Sequence, residues 1–205
     1  MKILRWLILG LTAMSLLSCV ASLLPLFEDR YLVYEPGLLG TWKPGEGADT
    51  WTFEKAEGKE YVLIQHQAEY DAGHGHGGPA KKVPGDTVRF RARLGRLGEA
   101  LFLDLFPADE GNPEIRNDWY NVHMIPAHTL ARVWLEKDSL RIVFLEQDWL
   151  ANAIKDGWIE LAHVETENWL VLTAPTAELQ ALIIKHGDND KAFPFEDAEE
   201  LRRVK

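Results

Sequence analysis

The chain of 205 residues contains a single cysteine, Cys19. One cysteine excludes an internal disulfide, so a folded domain here must be held by its core alone. Positive charge is also scarce. There are 22 Lys and Arg against 32 Asp and Glu, a net charge of −10. That balance argues against nucleic acid as a partner and against adhesion to anionic lipid by charge. Long apolar runs are missing too. Trp6 to Leu17 is a stretch of about a dozen residues broken by Gly10, Thr12 and Ser15, whereas a spanning helix needs about 20. There is no Gly-x-Ser-x-Gly, no His-Glu-x-x-His, no phosphate-cradling glycine loop and no Cys-x-x-Cys. No cofactor is implied, and an enzyme is the least favoured class. No internal repeat is visible.

What the N-terminus does have is order. Lys2 and Arg5 open it, the short apolar core follows, and the small residue Ser18 precedes Cys19. This is the layout of a secretory signal segment over residues 1–18. Leu16-Leu17-Ser18-Cys19 resembles the lipobox of bacterial lipoproteins. The resemblance implies cleavage between Ser18 and Cys19, a diacylglyceryl group on the Cys19 sulfur and acylation of the new amine with a fatty acid such as palmitate. Thiolate nucleophilicity explains why the acceptor is cysteine. Each buried CH₂ contributes about 0.8 kcal/mol and stable anchoring takes more than one chain, so two or three acyl chains suffice to hold the protein on a membrane. Val20 rather than Asp follows the cysteine. In a Gram-negative cell this implies the outer membrane, facing the periplasm. The competing readings are a signal peptide with a chance cysteine at its end, or an uncleaved anchor.

Loss of Lys2 and Arg5 with the signal segment takes the charge from −10 to −12 and leaves 187 residues, the size of one domain. Residues 19–37 read as a lipidated N-terminus and tether with one helical turn, and residues 38–205 as the domain. Eight Trp, eight Phe and five Tyr suit a core without disulfides. Strand signals start at Gly40-Thr41-Trp42 and continue at Trp51-Thr52-Phe53 and Tyr61 to Gln67. Residues 71–86 form a glycine-rich loop, and Trp119 to Ile125 is a candidate strand. Between them, Val88, Phe90, Ala92 and Leu94 alternate with Arg89, Arg91 and Arg93. A turn at Gly95–Gly98 would set Phe90 opposite Leu103 and Arg89 opposite Asp104. A second hairpin, around Glu136 to Ser139, pairs Leu135 with Leu140 and sets Trp134 opposite Arg141, within reach of a cation–π contact. Asp148 is placed to cap a helix over 149–156 that stops at Gly157. Strands follow at Trp158 to Val164 and Trp169 to Thr173. Pro175 opens a helix to His186 with an apolar stripe of Leu179, Leu182 and Ile183, and residues 195–205 read as a frayed, charged helix. Eight or nine short strands, mostly joined by hairpins, indicate a mainly β chain forming an antiparallel sandwich or barrel, with a short internal helix and a C-terminal one; closure into a barrel would remove free edges.

Gly40-Thr41-Trp42, lying just before a run of hairpins, is similar to the Gly-x-Trp signature of lipocalins and their calycin relatives. That resemblance implies an antiparallel up-and-down, lipocalin-like β-barrel closed at one end by Trp42, a helix after the last strand and a small apolar ligand inside. The helix over 149–156 and the glycine loop depart from the family. No further family motif is present, so no ligand residues carry over. Without the resemblance, Trp42 is a core aromatic near a strand start.

Three groups carry candidate chemistry. His74 and His76, with Asp71 and His66 near, are weak candidates for metal ligands, the alternative being a solvated loop; no metal site is assigned. His123 and His128 flank Ile125-Pro126 and form either an acid–base pair in a cleft or buried, hydrogen-bonded strand-end residues. The arginine row 89, 91 and 93 either holds an anionic headgroup or lies on the surface. Three functions are therefore open: a lipid-anchored carrier of a small apolar ligand, a structural or protein-interaction lipoprotein with a filled barrel, and an envelope enzyme. An interior filled by large side chains separates the second from the first. A cleft joining His123 or His128 to a carboxylate would favour the third.

Overall fold

The computed structural model describes residues 20–45, 47–72, 81–108, 123–166 and 169–205. In chain order, β1 (Ala21–Ser22) leads through two single-turn helices, Asp29–Tyr31 and Pro36–Leu38, into β2 (Gly40–Pro44). The meander continues with β3 (Thr50–Lys55), β4 (Glu60–Gln67), β5 (Tyr70–Ala72), β6 (Lys81–Val83), β7 (Asp86–Leu97) and β8 (Ala100–Pro107). Then come β9 (His128–Leu135), β10 (Ser139–Phe144), helix α1 (Gln147–Lys155), β11 (His163–Glu165) and β12 (Leu170–Leu172). Helix α2 (Thr176–His186) and β13 (Glu199–Arg203) complete the chain.

Among the described residues, eight strands close an antiparallel barrel in the order β2, β3, β4, β7, β8, β9, β10, β13, with β13 pairing back onto β2. All eight lie in chain order, so the barrel is up-and-down, consistent with the lipocalin-like architecture that the resemblance implies. Closure leaves the barrel with no free edge. The second hairpin has the expected register: Leu135 faces Leu140, Val133 faces Ile142 and Ala131 faces Phe144.

The first hairpin differs. Its turn is Gly98-Glu99, with Gly98 at a φ of 63°, so Leu97 pairs with Ala100 and Leu94 with Leu103. Arg93, not Arg89, lies opposite Asp104, and Phe90 lies opposite Pro107 rather than Leu103. The slip is an even number of residues, so every side chain keeps its face. Gly95 is not a turn residue. A β carbon there would sit 2.3 Å from the Phe27 ring, so glycine is needed for that ring to pack on the strand.

The C-terminus corrects the sequence reading most. Residues 199–203 are the closing strand, not a frayed helix, and α2 precedes the last barrel strand instead of following it. Three further differences are local. Gln147 starts α1 one residue before Asp148, which puts Asp148 not at the cap but in the first turn, where an acid still meets the helix dipole favourably. The strands expected over 158–164 and 169–173 are reduced to β11 and β12, which leave the barrel: β11 pairs with β12, β12 with β1, and β1 with β9. Residues 71–86 are not all loop: β5 and β6 pair across them, and residues 73–80 lie outside the described set. Of the candidate strand 119–125, only 123–125 are described, and they are not strand.

Two cores result. The barrel interior holds Trp42, Trp51, Phe53, Tyr61, Leu63, Leu94 and Leu103. The outer core lies between the barrel wall and the helices and joins Phe102 and Leu130 to Leu150, Leu179, Leu182 and Ile183. Residues 20–27, read as tether, belong to this outer core through the buried Val20, Leu26 and Phe27. Arg141 does not stack on Trp134. It pairs with Glu200 of the closing strand at 2.5 Å and lies over Phe195, while Arg132 takes the Trp134 ring.

Candidate functional site

The barrel axis is the first place a ligand would go. Trp42, Phe53, Tyr61, Leu63, Leu94 and Leu103 project into it, and each is at most 1 % exposed. Their polar atoms are satisfied. Trp42 Nε1 donates to the Leu38 carbonyl at 2.9 Å, where the Pro36–Leu38 turn plugs one end. The Tyr61 hydroxyl accepts from the Glu35 amide at 2.7 Å and donates to the Glu35 carbonyl at 3.2 Å. Burial pushes that hydroxyl above the ordinary tyrosine range, so it stays protonated and keeps donating. Arg203 stacks over the Trp42 ring at 4.1 Å and donates to the carbonyls of Gly37, Leu39 and Lys137. Gly40 has a φ of 111°, and a β carbon there would meet Arg203 Nη1 at 3.0 Å. The Gly-x-Trp pattern thus has a local physical reason: glycine admits the guanidinium that covers the tryptophan.

The second place is a polar clamp on the outer wall. Asp104 on β8 and Arg93 on β7 are cross-strand partners. Asp104 Oδ2 accepts from the Leu26 amide at 2.8 Å, and Arg93 Nη1 donates to the Phe27 carbonyl at 3.1 Å. From the other side, Thr176 Oγ1 donates to the Pro25 carbonyl at 2.7 Å and Gln180 Nε2 to the Leu26 carbonyl at 3.0 Å. Residues 25–27 are therefore strapped between the barrel wall and α2. Asp104 Oδ1 also meets His128 Nδ1 at 2.6 Å, and the Phe106 ring covers the imidazole at 4.5 Å. A lone acid in the apolar run Ala100–Pro107 needs partners of this kind when buried. Asp104→Asn should cost about 1–3 kcal/mol, since the amide retains only one acceptor oxygen for two donors. Denaturant unfolding of the variant checks this, and an unchanged midpoint would show the clamp to be dispensable.

The clamp brings a histidine and a carboxylate together, with Ser22 opposite His128 in the ladder. Chemistry there is blocked by access. Ser22 is fully buried and donates to the Leu24 carbonyl at 2.8 Å, and His128 is 6 % exposed. A general base must reach the proton it takes, and this imidazole faces the protein. His123 is exposed and lies outside this cluster of buried groups. Arg93 is committed to the strap and to Asp29 at 2.6 Å, and Arg91 lies over the Phe106 ring at 5.1 Å. The arginine row is thus on the outer wall, and Arg93 within it is an anchor for the N-terminal segment.

The remaining candidates fall elsewhere. Ser18, Cys19, His74 and His76 lie outside the described residues. His66 is exposed and meets Thr87 Oγ1 at 3.1 Å. Among the described residues, no group of three His, Cys, Asp or Glu is placed to hold a metal ion, and no helix is long and apolar enough to cross a membrane. Among the described residues, one surface groove of about 210 Å³ lies beside Arg96, Arg132 and Trp134, and another of about 420 Å³ beside Asp29, Lys59 and Glu60. In the first, Arg132 is already spent on the Gly187 carbonyl at 2.5 Å and Asp188 at 2.6 Å. The strap and the Asp104–His128 pair escaped sequence reasoning, although the isolated acid at 104 was a legible signal. No protein-family model, no curated protein and no solved structure matches this chain.

Proposed function

We propose that the chain is a lipid-anchored protein of the bacterial cell envelope, held by Cys19, whose filled barrel serves as a rigid structural or protein-interaction body. The anchor rests on sequence order: Lys2 and Arg5, a short apolar core, Ser18, then Cys19. In a Gram-negative cell, Val20 after the cysteine sends the protein to the outer membrane, facing the periplasm. The role of the barrel rests on one observation, the occupation of its axis by Trp42, Phe53, Tyr61, Leu63, Leu94 and Leu103. A carrier of a small apolar molecule needs a pocket of roughly 300 Å³ or more, and these side chains take the volume such a ligand would use. The filled interior therefore supports a scaffold over a carrier.

Metabolic labelling with palmitate tests the anchor. Wild type should take up label, and Cys19→Ser should take up none and retain residues 1–18. Equal labelling of the two would contradict the lipobox reading.

A further inference from the structure

We infer that the outer face of the small sheet formed by β1, β11 and β12 is a membrane-docking surface that lies on the lipid bilayer beside the anchor. The inference rests on the lipoprotein reading above and adds an orientation to it. Register defines the face. Val164 pairs with Val171, Val171 with Ala21, and Ala21 with Thr129, so these four form one row across the strands. Trp169 and Leu23 flank β12 and β1, two residues from Val171 and Ala21; the Thr166 amide donates to the Trp169 carbonyl and the Leu23 amide to the Leu172 carbonyl, both at 2.9 Å, so the ladder runs on to them and its alternation puts them on the same side. The opposite side carries Val20, Ser22, Leu170 and Leu172, all buried against the outer core or the barrel wall. The outer side is open: Val164 is 53 % exposed, Trp169 44 % and Leu23 39 %. Leu24, 42 % exposed, follows directly. A contiguous exposed apolar face of large side chains marks a surface that another phase or partner covers.

The position of the anchor selects the bilayer as that phase. Residue 19 immediately precedes Val20, which is 1 % exposed and packed in the outer core. Consecutive Cα atoms are about 3.8 Å apart, so a lipid on Cys19 enters the membrane within one residue of this sheet. The strap at 25–27 then removes the remaining slack, through Asp104, Arg93, Thr176 and Gln180. A body held so closely must rest some face on the membrane, and this is the face nearest the anchor. Its chemistry fits. Tryptophan is favoured at membrane–water interfaces, and aliphatic side chains enter the acyl boundary. Contact is apolar and not electrostatic, since loss of Lys2 and Arg5 takes the net charge from −10 to −12 in the anchored protein.

The test uses the full chain, expressed in bacteria, extracted in detergent and reconstituted into vesicles of phosphatidylethanolamine and phosphatidylglycerol. One set of vesicles carries bromine on the acyl chains, which quenches nearby tryptophan. Intact mass reports lipid on Cys19, and flotation reports attachment. We expect bromine to quench the wild type, and Trp169→Phe to lose most of that quenching with an unchanged melting curve. Trp158→Phe should keep it, and high salt should leave it unaltered. Should Trp169→Phe melt differently, Val164→Ser and Leu23→Ser in the wild-type background should each reduce the quenching instead. Lipidated protein that floats with the vesicles but is not quenched would overturn the docking face and leave the anchor standing. Quenching that belongs to Trp158, or protection of Trp169 that appears only with cross-linked dimers, would overturn it too. A mass without lipid, with no flotation, would remove the anchor and the docking face together.

Discussion

Trp42→Ala should destabilise the domain by about 3–5 kcal/mol, among the largest losses available to a single substitution here. The side chain is fully buried at the plugged end of the barrel. Its removal opens a large cavity between β2, β3 and β13, strips the Leu38 carbonyl of its donor and takes away the ring under Arg203. Truncation of a buried group that also satisfies polar neighbours combines a cavity cost with unpaired polar atoms. Trp42→Phe fills much of the cavity but still lacks the N–H, so it should lie between wild type and alanine. Denaturant midpoints at constant slope measure the series. A loss below about 1 kcal/mol for alanine would mean that this end of the barrel can collapse or was never tightly packed.

Phe102→Ala should cost about 3–5 kcal/mol and Leu103→Ala about 2–5, although the two neighbours point to opposite faces of β8. Leu103 fills the barrel interior. Phe102 fills the outer core, fully buried, with its ring edge-on to Phe193 at 5.5 Å. It also occupies the space beside Gly187, where a β carbon would come within 2.6 Å of Phe102 Cζ. Phe90→Ala should cost less than either, because Phe90 is only partly buried. Strand alternation puts Phe90 on the barrel side and Phe102 on the outer side, where only a covering layer can bury it. Helix α2 does cover it, through Leu179, Leu182 and Ile183 in the same core. Unfolding of the three variants checks the order. A silent Phe102→Ala would show the helical layer to be loosely attached.

Legibility in this chain followed the strength of local constraints. The β9–β10 register was readable because a short polar turn between two alternating runs allows one pairing, and Leu135 opposite Leu140 resulted. The β7–β8 register is ambiguous in the sequence because Gly95 and Gly98 compete for the turn. Only a long-range contact, the Phe27 ring on Gly95, decides between them. The closing strand was hidden by its composition. Of Glu199 to Arg203 only Leu201 is fully buried, while Glu200 and Arg203 act through Arg141 and Trp42, residues far off in sequence. The strap was misread as a tether for the same reason: Pro25, Leu26 and Phe27 form no periodic pattern, and their partners come from β7, β8 and α2. Asp104 was visible as an isolated acid in an apolar strand, but its partner, His128, depends on the ladder between β8 and β9.

The scaffold proposed above has a filled barrel and carries no ligand. Calorimetric titration of the protein from Val20 onward with a long-chain fatty acid tests it most directly. Occupation of the axis by Trp42, Phe53, Tyr61 and Leu103 predicts no saturable heat and no rise in melting temperature with added fatty acid. Saturable one-to-one binding that raises the melting temperature, and that is abolished by a bulky substitution on the inner wall such as Ala92→Trp, would contradict it.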